Sequence, residues 1–209
     1  MSETFYYITF FILTLIVSFY LNGYINKIFV GNKLTDPVNE RSSHKYPATR
    51  SGGLSVFFTI CLACAFGVST GKLVIPLYAL LSVFFLTLTG FADDLISVRY
   101  REKFFLQIFA AVLMFQSGYS IDSFHGVFNI YEVPWWLELT SSLFVFVVVV
   151  NALNLIDGLD GMASFISMKF FLIAGGIILV SKTEWFLFFP IIISALVGFL
   201  WFNFNRNKK

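Results

Sequence analysis

The stretch LFVFVVVVNALNLIDGLDG, residues 143–161, decides the fold. Its first eight residues are all apolar, and they lead directly into two amides and two carboxylates: Asn151, Asn154, Asp157 and Asp160. Ionisable side chains at the end of a membrane segment are costly, so they usually mark a functional site. Each Asp precedes a Gly, which lets the backbone turn sharply and a ligand approach closely. We interpret the stretch as a membrane helix that ends in a site for a cation or a polar ligand.

Composition indicates an integral membrane protein. Of the 209 residues, 58% are hydrophobic and 12% are charged, with a mean hydropathy of +0.82, whereas soluble domains carry about 25% charged residues. Seven apolar segments predict an all-α, polytopic fold of about seven transmembrane helices in a single domain, residues 1–209. A spanning helix needs about 20 residues, so we expect the short second and fourth segments either to include flanking residues or to begin inside the headgroup region. The segments are Phe5–Leu21, Leu54–Val68, Leu73–Phe91, Phe104–Phe115, Leu139–Ile156, Ala163–Val180 and Trp185–Phe202.

The basic residues predict the orientation of the helices. If seven helices alternate, one membrane face collects most of the Lys and Arg residues, and the opposite face holds only Lys72 and Lys182. Cytoplasmic loops carry the excess of basic residues in membrane proteins. We therefore expect the N-terminus outside and the C-terminus in the cytoplasm. The basic residues on the predicted cytoplasmic face are Lys27, Lys33, Arg41, Lys45, Arg50, Arg99, Arg101, Lys103, Lys169, Arg206, Lys208 and Lys209.

Two further features are interpreted as structural. Trp135 and Trp136 fall at the outer face, where paired Trp residues are typical of an interfacial anchor; a binding surface is the alternative. Cys61 and Cys64 form a C-x-x-C inside an apolar helix, without other Cys residues to complete a metal site. We interpret them as small packing residues rather than a redox pair, because no nearby charge would stabilise a thiolate.

Three polar clusters lie on the predicted cytoplasmic face. The first is the loop of residues 36–53, in which Arg50 and a Ser-Gly-Gly turn precede a helix N-terminus, a favourable position for an anion; an ordinary basic loop is the alternative. The second is the Asp93-Asp94 pair, whose adjacent charges call for a cation, and the third is residues 151–161. Mg²⁺ prefers one or two carboxylates plus substrate phosphates. Acidic residues for a metal and basic residues for phosphates favour phosphoryl transfer.

Together these clusters resemble the polyprenyl-phosphate N-acetylhexosamine-1-phosphate transferases. This membrane family includes the enzyme that makes the first lipid intermediate of peptidoglycan and the enzymes that initiate O-antigen. The resemblance covers essentially the whole chain. The matching motifs are D-x-P-x-x-R-x-x-H-x-x-P-x-x-R-x-G-G (Asp36–Gly53, with Asp and Pro adjacent in this sequence), Asp93-Asp94 with Lys103 and Gln107, and N-x-x-N-x-x-D-G-x-D-G (Asn151–Gly161).

The resemblance implies a reaction and its participants. A UDP-linked amino sugar donates sugar-1-phosphate to undecaprenyl phosphate, and UMP leaves. The implied cofactor is Mg²⁺, with Mn²⁺ as the alternative ion, and the implied location is the bacterial inner membrane with the active face in the cytoplasm. We expect no nucleic-acid partner. A second copy of the chain, in a homodimer, is one way to cover its apolar surface.

The resemblance also assigns roles to residues. Asp93 is the candidate base or the residue that orients the lipid phosphate, and Asp94 is a further site carboxylate. Asp157 and Asp160 would bind or orient the nucleotide sugar, and Asp94 and Asp157 are the candidate Mg²⁺ ligands. The expected substrate-binding residues are Lys103, Asn151, Asn154, Arg41, His44 and Arg50.

One family motif is missing from the sequence. After a Gly-Phe-Leu-x-Phe-Asn segment like residues 198–203, family members carry Phe-x-Gly-Asp-x-Gly, whose Asp is a main metal ligand; here the sequence ends at Lys209 without it. The alternative hypothesis is therefore a truncated, non-catalytic remnant or a subunit that binds lipid phosphate. A small proton-coupled transporter is less favoured, because the carboxylates lie at helix ends rather than near the membrane midplane.

Overall fold

The computed structural model describes residues 3–36, 48–156, 161–181 and 184–205. Within these ranges the chain is almost entirely helical, and the only strands are two short ones that pair antiparallel, β1 (Thr35–Asp36) and β2 (Ala48–Thr49). Single 3₁₀ turns occur at Val127–Asn129 and Glu184–Leu187. The α-helices are α1 (Glu3–Gly31), α2 (Gly52–Ser69), α3 (Leu77–Ile96), α4 (Tyr100–Gln116), α5 (Trp135–Ile156), α6 (Met162–Ser181) and α7 (Phe188–Phe204).

The helices confirm a polytopic membrane protein. The seven helices in the described ranges match the seven predicted segments one for one. Four of them, α1, α2, α3 and α5, are long and apolar enough to cross a membrane, and α6 and α7 contain shorter apolar stretches. Helix α4 has 17 residues and carries three charged side chains in its first turn. The predicted orientation of the termini stays a prediction.

Helix α1 is longer than its apolar pattern predicted. The predicted segment stopped at Leu21, because polar residues follow, but the helix continues to Gly31. The reason is a buried polar stripe at four-residue spacing, which places one side chain per turn on a single helix face. Membrane helices pack closely through small and polar residues, because lipid competes poorly for such surfaces. The stripe consists of Thr14, Ser18, Asn22 and Asn26, each no more than 8% exposed.

Two other boundaries differ because proline sets where a helix begins. Helix α3 was predicted from Leu73 but begins at Leu77, directly after Pro76, whose backbone is extended with ψ 134°. Helix α5 was predicted from Leu139 but begins at Trp135, directly after Pro134. Proline disfavours a helical conformation in the residue before it, so a helix readily begins at or just after proline. Trp135 and Trp136 therefore occupy the first turn of α5, where both are exposed.

The chain forms two compact units by its internal contacts, residues 1–74 with 159–209 and residues 75–158. In the first unit, α1 packs against α2 and α7, and α7 also packs against α2 and α6. Ser18 Oγ donates a hydrogen bond to the Ala195 carbonyl at 3.0 Å, which joins α1 to α7. Cys64 is buried and Cys61 is partly buried in α2, as the packing interpretation predicts.

In the second unit, α4 packs against both α3 and α5. Helices α3 and α4 are joined by only three residues, Ser97, Val98 and Arg99. Ser97 adopts the left-handed conformation, with φ 52°, and its N–H donates to the Asp93 carbonyl at 3.0 Å. A left-handed residue just past the last helical turn is a common way to end a helix. The short connection makes α3 and α4 antiparallel neighbours.

A buried hydroxyl joins α3 to α4, and its removal should destabilise the second unit. Ser82 is fully buried, and its Oγ donates to the Ala110 carbonyl at 2.7 Å. We expect Ser82→Ala to lower the free energy of unfolding by about 0.5–1 kcal/mol, the typical worth of an interhelical hydrogen bond in a membrane protein. Thr87→Ala is the matched control, because Thr87 Oγ1 donates within its own helix to Val83. Equal unfolding curves for the two variants in detergent would contradict the proposed role of Ser82.

Candidate active site

The α3–α4 connection brings Asp93 and Lys103 together. Asp93 lies three residues before the end of α3, and Lys103 lies three residues after the start of α4. Because the helices run antiparallel from a short turn, these positions face each other. Lys103 Nζ donates to Asp93 Oδ2 at 2.7 Å, with Lys103 21% and Asp93 31% exposed. The two residues that the second motif predicts to act on phosphate thus form one ion pair that still reaches solvent.

One turn further along α4, Gln107 joins the same cluster. Lys103 and Gln107 are four residues apart, so their side chains share one helix face. Gln107 is 3% exposed and forms a reciprocal amide pair with Asn151 of α5. Asn151 Nδ2 donates to Gln107 Oε1 at 2.8 Å, and Gln107 Nε2 donates to Asn151 Oδ1 at 3.4 Å. Two side chains on one face of α4, Lys103 and Gln107, therefore contact Asp93 of α3 and Asn151 of α5.

Lys103, Gln107 and Asn151 line a pocket of about 360 Å³ and supply polar groups to it. The rest of its lining, which we call the rim, consists of aromatic and basic side chains. Arg101 Nε donates to the Tyr100 hydroxyl at 2.9 Å, and the guanidinium lies 5.6 Å from the centre of that ring. The rim residues are Tyr100, Arg101, Phe104 and Phe105.

Sequence reasoning missed part of this pocket. It named Gln107 within a motif but gave it no role, and it assigned no role to Tyr100, Phe104 or Phe105. The four-residue spacing of Lys103 and Gln107 on a helix is the signal that could have placed Gln107 in the site. The aromatic rim had no such signal, because Phe is abundant along the whole chain, with 28 residues.

The other predicted site residues fall into two groups. Asp94, at the end of α3, and Asn154, one turn beyond Asn151 on α5, are exposed. Arg50, in the first unit, is exposed at the turn that precedes α2. The remaining four lie outside the described residues, so their assigned roles stay predictions: Arg41, His44, Asp157 and Asp160.

The described ends of the first loop are held by hydrogen bonds. Strand β1 pairs with β2, with Thr35 opposite Thr49. Thr49 Oγ1 donates to Asn26 Oδ1 at 2.7 Å and also lies 2.9 Å from Ser51 Oγ. The two described ends of the loop predicted to contact phosphate therefore lie side by side, and Thr49 ties them to the C-terminal part of α1.

The last glycine of the third motif is required by its backbone. Gly161 has φ 73°, a conformation that L-residues rarely adopt. A Cβ at this position would lie 3.0 Å from Leu200 Cδ2 and 3.0 Å from Phe204 Cζ. The sequence prediction that a glycine here permits a sharp turn is confirmed for Gly161, whereas Gly158 lies outside the described residues.

The described residues do not by themselves complete a metal site. Within them, no group of three or more His, Cys, Asp and Glu side chains is close enough to hold an ion. Asp93 and Asp94 are adjacent in sequence, but Asp93 Oδ2 already accepts from Lys103.

The fold and the pocket define a multi-pass membrane protein with a charged, amide-lined site where α4 meets α3 and α5. The model of the family described as glycosyl transferase family 4 matches residues 76–208, more than half of the chain, and the chain belongs to this family. This match includes α3, α4 and α5, and therefore every described residue of the pocket.

Curated relatives extend the match to nearly the whole chain. A probable undecaprenyl-phosphate N-acetylglucosaminyl 1-phosphate transferase of Bacillus subtilis is 26% identical over 95% of this chain and 56% of its own length. A phospho-N-acetylmuramoyl-pentapeptide-transferase of Nautilia profundicola is 29% identical over 96% of this chain and 68% of its own length. The corresponding enzyme of Dictyoglomus turgidum is 34% identical over 59% of this chain. The chain thus spans somewhat over half the length of the Bacillus relative.

Proposed function

We propose that this chain carries the active site of a sugar-1-phosphate transferase. In the proposed reaction a UDP-linked N-acetylhexosamine donates its sugar-1-phosphate to undecaprenyl phosphate, with release of UMP. The observation that carries the proposal is the Lys103–Asp93 ion pair, which adjoins the Gln107–Asn151 amide pair in a pocket of about 360 Å³. The names of the relatives support the substrate class, because they specify transfer of a sugar 1-phosphate or its phosphorylated equivalent.

The chemistry requires positioning and neutralisation of phosphate charge. An oxygen of the lipid phosphate attacks the β-phosphorus of the UDP-sugar, the bond from that phosphorus to the bridging oxygen breaks, and UMP carries the bridging oxygen away. The second pKa of a phosphate monoester is about 6, so the attacking phosphate is largely dianionic at neutral pH. It needs little help from a base. Catalysis by the protein then rests on bringing two anions together.

Lys103 is suited to this role. Its ammonium has three N–H donors, of which one is directed to Asp93. The other two can reach phosphate oxygens in the pocket. Asp93 holds the ammonium in place and so acts as its positioning residue, or it orients the incoming lipid phosphate. Arg101, on the pocket rim, supplies a second cation for the diphosphate.

The carboxylates of the motifs fit a magnesium ion whose coordination shell is completed by phosphate oxygens of the substrate. Mg²⁺ binds through one or two carboxylates plus phosphate oxygens and waters. We propose Asp94 and Asp157 as its carboxylate ligands, the two residues that the family resemblance implies. The bound ion would offset charge on the diphosphate of the nucleotide sugar. Mn²⁺ is the alternative ion, because oxygen ligands suit it as well.

The placement of basic residues supports a cytoplasmic active face. Arg99, Arg101 and Lys103 surround the α3–α4 connection, and such connections face the cytoplasm in membrane proteins. We therefore propose that the pocket opens to the cytoplasmic side of a bacterial inner membrane. Nucleotide sugars are made in the cytoplasm, which agrees with this orientation.

Metal removal tests the proposal on the purified chain. With UDP-N-acetylglucosamine and undecaprenyl phosphate, we expect lipid product with Mg²⁺ and none after chelation, with recovery when Mg²⁺ returns. Asp94→Asn and Asp157→Asn should each raise the Mg²⁺ concentration for half-maximal rate roughly tenfold, because each removes a charged ligand. Glu102→Gln, an exposed acid in the first turn of α4, is the control and should leave that concentration unchanged.

Two results would contradict the proposal. A folded chain that forms no product from any UDP-amino sugar at saturating Mg²⁺ would contradict the assigned activity. A chain that forms product at an unchanged rate after chelation would contradict the proposed requirement for Mg²⁺ and would leave the transferase assignment intact.

A further inference from the structure

The hydrogen bonds of Asn151 fix which of its amide atoms can meet a ligand. Asn151 Nδ2 donates to the Val147 carbonyl at 2.8 Å and to Gln107 Oε1 at 2.8 Å. A backbone carbonyl can only accept, so the atom that faces Val147 must be the NH₂ group. This contact determines the orientation of the amide. Both hydrogens of Nδ2 are then directed at acceptors of the protein itself.

The amide oxygen is the part of Asn151 that stays available to a ligand. Asn151 Oδ1 accepts one hydrogen bond from Gln107 Nε2, at 3.4 Å, which is long for an N–H···O bond. An amide oxygen has two lone pairs, so it can accept a second, shorter bond. Asn151 is exposed and lines the pocket, whereas its partner Gln107 is buried. The hydrogen-bonding capacity that Asn151 can still offer a ligand is therefore that of an acceptor and not of a donor.

We propose that Asn151 Oδ1 accepts a hydrogen bond from a neutral O–H or N–H group of the nucleotide sugar, and that Gln107 is the positioning residue that keeps this oxygen turned toward the pocket. This inference rests on the function proposed above and assigns the polar groups of its pocket to different parts of the substrate. Phosphate oxygens only accept, so they cannot pair with Oδ1, and they fall to Lys103. Asn151 Oδ1 is not one of the metal ligands proposed above, because Mg²⁺ prefers carboxylate and phosphate oxygens.

Competition binding to the full chain tests whether Asn151 binds a neutral group of the nucleotide sugar while Lys103 binds its phosphates. Labelled UDP-N-acetylglucosamine is displaced by itself, by UMP and by pyrophosphate, which offers phosphate oxygens but no carbon-bound hydroxyl or amide N–H. Asn151→Leu should weaken UDP-N-acetylglucosamine about 5- to 10-fold, the size of one hydrogen bond that a ligand no longer makes, while pyrophosphate binds within about twofold of wild type. Gln107→Leu should lower the ratio of the affinity for UDP-N-acetylglucosamine to the affinity for pyrophosphate, because the Asn151 amide can rotate once its partner is removed.

The outcomes separate the inference from the function on which it rests. If Asn151→Leu loses affinity for both UMP and UDP-N-acetylglucosamine, the hydrogen-bond donor lies on the uridine. If it loses affinity for UDP-N-acetylglucosamine alone, the donor lies on the sugar. Both results support the proposal. Equal weakening of pyrophosphate, or no selective weakening in Asn151→Leu, would overturn it and leave the proposed function standing. A wild-type chain that binds no UDP-sugar would overturn both.

Discussion

Replacement of Lys103 by Ala is expected to lower kcat/KM for sugar-1-phosphate transfer at least about 100-fold. The substitution removes hydrogen bonds from a cation to phosphate, each worth about 1.5–3 kcal/mol. It also leaves the Asp93 carboxylate, which accepts from Lys103 at 2.7 Å, without its cation beside an anionic substrate. Lys103→Arg should recover part of the rate, because a guanidinium restores the positive charge but has a different hydrogen-bonding geometry from an ammonium. The measurement is steady-state transfer of labelled sugar-1-phosphate by the purified chain.

The control for this prediction is Lys169→Ala. Lys169 is an exposed lysine of α6 in the first unit, so its loss changes the net charge equally without changing the pocket. We expect its rate to stay within about twofold of wild type, the size of a screened surface effect. If Lys103→Ala also kept its rate to within about threefold while folding normally, the ion pair would be structural and the assigned site would be wrong.

Gly198→Ala is expected to destabilise the contact between α1 and α7 by about 1–3 kcal/mol, the usual cost of forcing a methyl group into a packed interface. A Cβ on Gly198 would collide with Ser18 Oγ and would lie 2.6 Å from Ser18 Cβ. Ser18 cannot swing away at its Cβ, and its hydroxyl bonds to Ala195. The two helices must therefore separate. Thermal unfolding in detergent, followed by intrinsic fluorescence, measures the effect.

Gly176→Ala is the matched control, because Gly176 also lies in a membrane helix and a Cβ there would meet no atom within 4 Å. Alanine is the better helix former by about 1 kcal/mol, so this variant should be neutral or slightly stabilised. Adding Ser18→Gly to Gly198→Ala should restore part of the lost stability, since it removes the colliding atoms. Equal melting temperatures for Gly198→Ala and Gly176→Ala would contradict the close packing of α1 against α7.

The sequence predicted the helices well, because membrane helices are determined mainly by local apolar content. The exceptions have identifiable causes. Asn22 and Asn26 interrupt the apolar pattern of α1, yet both are buried against neighbouring elements, and hydropathy does not encode such tertiary contacts. Pro76 and Pro134 moved two helix starts, which the proline positions could have predicted.

The residues that lie together around the pocket were predicted in part. The motif pattern named Asp93, Lys103 and Asn151, and the structure adds that the first two form an ion pair and that the third pairs with Gln107. Neither pairing is visible in the sequence, because partners 10 and 44 residues apart meet only through helix packing. The roles of Asp157 and Asp160 stay predictions that rest on the motif.

In the proposed reaction the chain transfers a sugar together with its phosphate. The most direct measurement uses UDP-N-acetylglucosamine labelled with ³²P at the β-phosphorus and with ³H in the sugar, with undecaprenyl phosphate and Mg²⁺. We predict that both labels appear in the lipid product in equal amounts and that unlabelled UMP is released. A lipid product that carries ³H without ³²P, with labelled UDP released, would mean transfer of the sugar alone and would contradict the account.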